Sequence, residues 1–184
     1  MVAPTINRAT GRVVLAALAV AFLVVMARSG HVRESGQFVR FTPGGVMSIP
    51  PARIDRVELA GASRRRVFTR AAGAWTMEPD GRQVPGSLAR HLDDSIKFMH
   101  VSPPVRVLEP AEWSSQGLRE FGLESPAYSA SLFEGSRRVL AVSFGSPNPQ
   151  QVLQYMRVDG REQIFVMSRF VGHEWELVLA EAAP

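Results

Sequence analysis

The feature that most constrains this chain is Val13 to Ala27, VVLAALAVAFLVVMA, an uninterrupted apolar run with Arg12 before it and Arg28 after it. Everything behind it is read as tethered to, or carried across, a membrane. Fifteen residues rising about 1.5 Å each make ~22 Å of helix, short of the ~30 Å hydrocarbon core. Ala9, Thr10 and Gly11 can extend that helix, and Arg12 and Arg28 can snorkel to the headgroups. The expectation is one transmembrane helix in which Val13, Leu15, Leu18, Phe22, Val25 and Met26 form the membrane anchor between Arg12 and Arg28. The rival is a cleaved signal peptide, whose apolar region runs about 7–15 residues. Ala27-Arg28-Ser29 supplies small residues for a cleavage point. Arg8 and Arg12 before the run nearly balance Arg28, Arg33 and Arg40 after it, so charge alone does not orient the helix. A short tail ahead and a large domain behind place that domain in the periplasm, on a bacterial inner membrane.

The chain then divides into a tail and anchor (1–30), a polar juxtamembrane stalk (31–51) and an extracytoplasmic domain (52–184). The formal charge of +4 belongs to the first part. Residues 1–50 hold five Arg and one Glu, whereas 51–184 hold 16 basic and 16 acidic side chains. The excess sits where anionic lipid attracts it, and a neutral domain argues against a nucleic-acid partner. The absence of cysteine excludes disulfides, thiol catalysis and Cys-based metal sites.

From Ile54 the apolar residues alternate. IDRVELA, Arg66 to Arg70 and Ala74 to Met77 predict an antiparallel meander ending at Pro79-Asp80-Gly81. Ser87 is then expected to cap a helix in which Leu88, Leu92, Ile96 and Met99 form one stripe. Pro103-Pro104 keeps Val101 to Leu108 at a sheet edge. Pro110 to Leu118 predicts a short helix carrying Trp113, closed by Gly122 in the left-handed position with Leu123 folded back. The second half is β again: Tyr128 to Glu134 and Val139 to Phe144 around Gly135-Ser136, then Val152 to Val158 and Gln163 to Met167. Asp159-Gly160 there signals a type I′ turn. A last helix, Ser168 to Glu181, is expected to bury Phe170, Val171, Trp175, Val178 and Leu179 together. The fold class is α+β, one domain of antiparallel meanders with packed helices. VELAGASRRRVF and SLFEGSRRVLAV echo one another, through duplication of a meander-plus-helix unit or through common turn chemistry.

Chemistry-bearing patterns are sparse. G-x-S-x-G and glycine-rich phosphate loops are absent. Asp93 and Asp94 are adjacent, so a helix points them apart, towards solvent. His91 and Asp94 have ligand spacing, but no third ligand completes a metal set. No enzyme, cofactor or metal site is expected. The candidate interface residues are Arg64, Arg65, Arg66, Arg137 and Arg138, which solvated hairpin ends explain equally, and Trp113, one of three Trp otherwise read as core.

IDRVEL with its hairpin, Trp75 and Pro79, the helix from Ser87, FGLESP, SFGSPNP and YMRVDGREQIFVMS together resemble the bacterial family termed domain of unknown function 4340, over roughly Ile54 to Leu179. The resemblance implies a membrane-anchored extracytoplasmic domain, in some members encoded beside ABC-type transport components linked to gliding. It implies no catalytic residue, and this chain is shorter than many members. The function expected is a non-catalytic accessory subunit docking on an integral membrane protein complex, of transporter type among the candidates, with the lipid bilayer as its other partner. The alternative is a tethered periplasmic binding module for a small ligand or cell-wall component.

Overall fold

The computed structural model describes residues 8–29, 42–61 and 64–182, with side chains in the first helix described from 13 to 25. The chain forms two compact units, Met1–Phe41 and Thr42–Pro184. In the first, α1 (Arg8–Ser29) is 22 residues long, and each described side chain from Val13 to Val25 is exposed. The side chains of Arg12, Met26 and Arg28 lie outside the described residues, as does Phe38-Val39-Arg40-Phe41, whose sequence reads as a short strand. Among the described residues no helix is long and apolar enough to cross a membrane. The described apolar stretch of α1 covers ~20 Å of helix at about 1.5 Å per residue. The expected transmembrane span is therefore met as an apolar helix, and not as a span.

The second unit is α+β. Its strands are β1 (Arg56–Gly61), β2 (Arg65–Ala71), β3 (Ala74–Met77), β4 (Arg82–Gln83), β5 (Arg106–Leu108), β6 (Tyr128–Glu134), β7 (Arg137–Pro147), β8 (Leu153–Val158) and β9 (Ile164–Ser168). The helices are α2 (Gly86–Val101), α3 (Pro110–Trp113) and α4 (Arg169–Glu181). The two predicted meanders are not separate. They join through β1 and β6 into one nine-stranded antiparallel sheet, in the order β4-β3-β2-β1-β6-β7-β8-β9-β5.

That order reads outward in both directions from the β1–β6 seam. Each half is a four-stranded meander followed by a helix, α2 or α4. At the seam Val57 pairs with Leu132 and Leu59 with Ala130, so exchanging Val57 with Ala130 and Leu59 with Leu132 maps one pair onto the other. Every antiparallel ladder has this local two-fold, so the register fits duplication and common turn chemistry alike, and the two echoing sequences are the β1–β2 and β6–β7 hairpins.

Alternation along the strands gives the sheet a dry face. Val57, Leu59, Phe68, Leu132, Val142, Phe144, Met156 and Met167 are buried there with Leu88, Leu92, Ile96 and Met99 of α2 and Val171, Trp175 and Val178 of α4. Phe170 departs from its predicted face. It is 49% exposed and meets Phe98 edge-on at 5.0 Å, because neighbouring helical residues point about 100° apart and Val171 takes the inward position. Ser87 is not the cap of α2. The helix begins at Gly86, and Pro85, with φ −54° and ψ 149°, precedes it without a side-chain cap. The Asp159-Gly160 turn is not type I′ either. Only Gly160 has positive φ (77°), and the turn closes through Arg161 N–H to Val158 O at 3.1 Å. Ala72-Gly73, linking β2 to β3, has both φ values positive, 50° and 82°, as a type I′ turn demands.

The stalk predicted over 31–51 is part of the domain from Thr42 onward. Met47 N–H donates to Met99 O and Gly45 N–H to His100 O, each at 2.9 Å, and Val46 and Met47 are buried. A Cβ on Gly45 would lie 2.3 Å from Met99 O, so only glycine brings this strand of chain against the end of α2. The physical cause is apolar: Val46 and Met47 carry enough surface to join the core.

A smaller cluster sits on the opposite face. Phe121, Leu123 and Ile164 are buried with Leu108, Trp113, Leu118 and Tyr155 against them. The predicted helix over 110–118 stops at Trp113. The predicted closure stands nonetheless: Leu123 N–H reaches Leu118 O at 2.9 Å, Gly122 N–H reaches Arg119 O at 3.0 Å, and Gly122 has φ 66°. Those paired bonds are a Schellman motif, and they lay Leu123 over β8 and β9 as a roof.

Candidate functional site

The six candidate interface residues do not form one surface. Antiparallel pairing sets Gly61 opposite Tyr128 and Arg56 opposite Phe133, which sends the β1–β2 and β6–β7 turns to opposite ends of the sheet. At the first end Arg64 is exposed, Arg66 is half-buried, and Arg65 pairs with Glu58 at 2.5 Å, as does Arg56. At the other end Arg137 and Arg53 both meet Glu134, and Arg138 meets Asp159 at 2.6 Å. The hydrogen bond from Arg137 is the main reason the Glu134 carboxyl titrates below its ordinary range. Trp113 is half-buried in the roof, and its indole N–H is buried without an acceptor. It is packing, and not an exposed anchor.

The other flagged side chains are partners in folding. Asp93 is not a free solvated carboxylate: it accepts from Trp75 Nε1 and from Arg70, each at 3.0 Å, while Arg70 lies 4.7 Å over the Trp75 ring. His91 bridges the two long helices of the domain, its Nδ1 2.7 Å from Glu174 and its Nε2 3.4 Å from Glu181. Its two nitrogens address different carboxylates, so they do not converge on one point. Among the described residues no group of three His, Cys, Asp or Glu could hold a metal ion. Inside the core the Tyr128 hydroxyl donates to Gly172 O at 2.8 Å. Burial pushes that phenol above its ordinary pKa, which keeps it a neutral donor.

The arrangement that does bring polar groups together lies on the sheet face away from α2 and α4. Across it run Ala60, Ser129, Ser143, Arg157 and Ile164, each directly opposite the next on five successive strands. Beside this row Glu58 faces Ser131 and Ser131 faces Ala141. These small side chains form the floor of an open groove of about 370 Å³, walled by Leu123 of the roof on one side and by Arg138 and Asp159 on the other. Arg157 rises from the floor half-buried, its Nε enclosed and without an acceptor. Nothing in the sequence alone marked this groove. The alternation of Ser129 and Ser131 put them on one face, but only the β6–β7–β8 register sets Ser143 and Arg157 in line with them.

No protein-family model, no curated protein and no solved structure matches the chain.

Proposed function

We propose that this protein is a non-catalytic accessory subunit, held at a bacterial inner membrane by α1 and docked there on a larger integral membrane complex. Its domain then lies on the periplasmic side. One observation carries the reading: thirteen consecutive apolar or small residues, Val13 to Val25, are exposed all round a helix. A helix apolar on every side is stable only when lipid or other apolar helices cover it. The domain behind it supports the reading in a second way, since its own helices α2 and α4 supply buried side chains to its core. Kinship with the domain of unknown function 4340 family, in some members tied to ABC-type transport, belongs to the same proposal.

The test is extraction of native membranes in mild detergent, affinity capture of the tagged full chain and mass spectrometry, beside a chain in which Leu15, Leu18 and Phe22 are all changed to Ser. A stoichiometric integral membrane partner, lost from the triple variant, is the expected result. A full-length chain that purifies as a lone monomer would overturn the docking.

A further inference from the structure

We infer that the groove on the sheet face away from α2 and α4 binds an oxyanion, a carboxylate or phosphate, carried on a hydroxyl-rich ligand, with Arg157 as its cation and Ser129, Ser131 and Ser143 as its hydroxyl partners. This names a site and a ligand class for the binding-module alternative, and it does not depend on docking through α1.

Three observations converge. The first is shape. Strand interiors favour β-branched and aromatic side chains, yet the central positions here are Ser129, Ser131, Ala141 and Ser143, and their small size leaves the 370 Å³ trough open. The second is an unused cation. Arg56 and Arg65 share Glu58 and Arg138 holds Asp159, whereas Arg157 meets no carboxylate among the described residues and keeps an enclosed N–H without an acceptor. A sequestered guanidinium donor left unpaired is unfavourable, and a bound oxyanion supplies its missing acceptors in the forked geometry that suits it. The third is the charge of the groove itself, whose lining carries Arg138 and Arg157 against Asp159. Among the described residues no side-chain partner holds the hydroxyls of Ser129, Ser131 and Ser143, which line the groove with Arg157, so they can donate to the anion or to neighbouring ligand hydroxyls. The trough is open along its length, which suits a group borne on a chain better than an engulfed small molecule.

The experiment is calorimetric titration of the full chain in mild detergent with glucuronate, glucose 6-phosphate, glucose, acetate and inorganic phosphate. Glucuronate or glucose 6-phosphate should bind at least tenfold more tightly than glucose, and which of the two leads separates a carboxylate source from a phosphate source. Arg157→Gln should weaken that binding at least tenfold without lowering the melting temperature, because the side chain pairs with no carboxylate among the described residues. Should that variant not fold, Ser129→Val with Ser143→Val, which fills the trough, should weaken binding to the same degree. Equal binding of glucose and the two sugar acids, or sugar-acid binding untouched by the variants, would overturn the site. Inorganic phosphate binding as tightly as the sugar acids would overturn the hydroxyl part. A chain that binds sugar acids but captures no membrane partner would uphold this site while removing the docking.

Discussion

In the half of the sheet built from β1 to β4, the face away from the helices is bare, and Arg56, Glu58 and Arg65 pair there at the edge of solvent. In the half built from β6 to β9 the same face is roofed at its outer strands by Phe121, Leu123 and Trp113 over Ile164 and Tyr155. The meanders and their helices correspond, so the difference comes from what the chain inserts between them. Residues 102–127 add β5, α3 and the Schellman turn, and among the described residues the first half carries no such cover. A single extra segment therefore makes the halves unequal, and the step from roofed to bare sheet is where the serine-floored groove lies. Two similar meanders form the platform, and one asymmetric segment forms a wall.

The comparison breaks first at the seam. Leu59 and Leu132 are both fully buried on the dry face, one from each half. Leu59→Ala and Leu132→Ala should each cost about 2–5 kcal/mol and shift one common unfolding transition. Two separate denaturant transitions, each sensitive to only one substitution, would mean that the halves are independent domains. Tyr128→Phe should cost about 1–2 kcal/mol through the lost bond to Gly172. The Tyr128 phenol is raised in the folded state, so the stability it provides is complete below about pH 10, its unfolded value, and falls as the pH climbs beyond that. Urea midpoints from pH 8 to 11 should decline in the natural chain and decline less in the variant. In the roof, Ile164→Val should cost about 0.5–1.5 kcal/mol. A loss as large as that of the seam leucines would make the roof part of the main core and not a later cover. The smallest change is a gain. Ala72 sits at φ 50° in a turn that favours Asn-Gly, so Ala72→Asn should raise stability by about 0.5 kcal/mol, read as a higher melting temperature.

Period-two alternation and a helical stripe made the strands, α2 and the Gly122 closure legible in the sequence, because those signals are local. The misreadings were local too. Ser87 looked like a cap, but the cap position is Pro85, two residues earlier; Asp159-Gly160 has the composition of a type I′ turn without its backbone. What sequence could not display was pairing across distance. Nothing near Val46 and Met47 announces that they pack beside Met99, or that the β1 and β6 strands meet and carry the two arginine turns to opposite ends. Arg157 looked like any strand arginine until the register set Ser143 opposite it and brought Ser129 and Ser131 to the same groove.

The most direct test of membrane docking is site-specific photo-crosslinking in native membranes, with the photoreactive residue at Leu18 or Phe22 of α1 and, for comparison, at Ser131 on the sheet. The account predicts a discrete crosslink from α1 to the apolar segment of an integral membrane protein, at a yield the Ser131 probe does not reach. Crosslinks from α1 to lipid alone, or to soluble proteins, would contradict it.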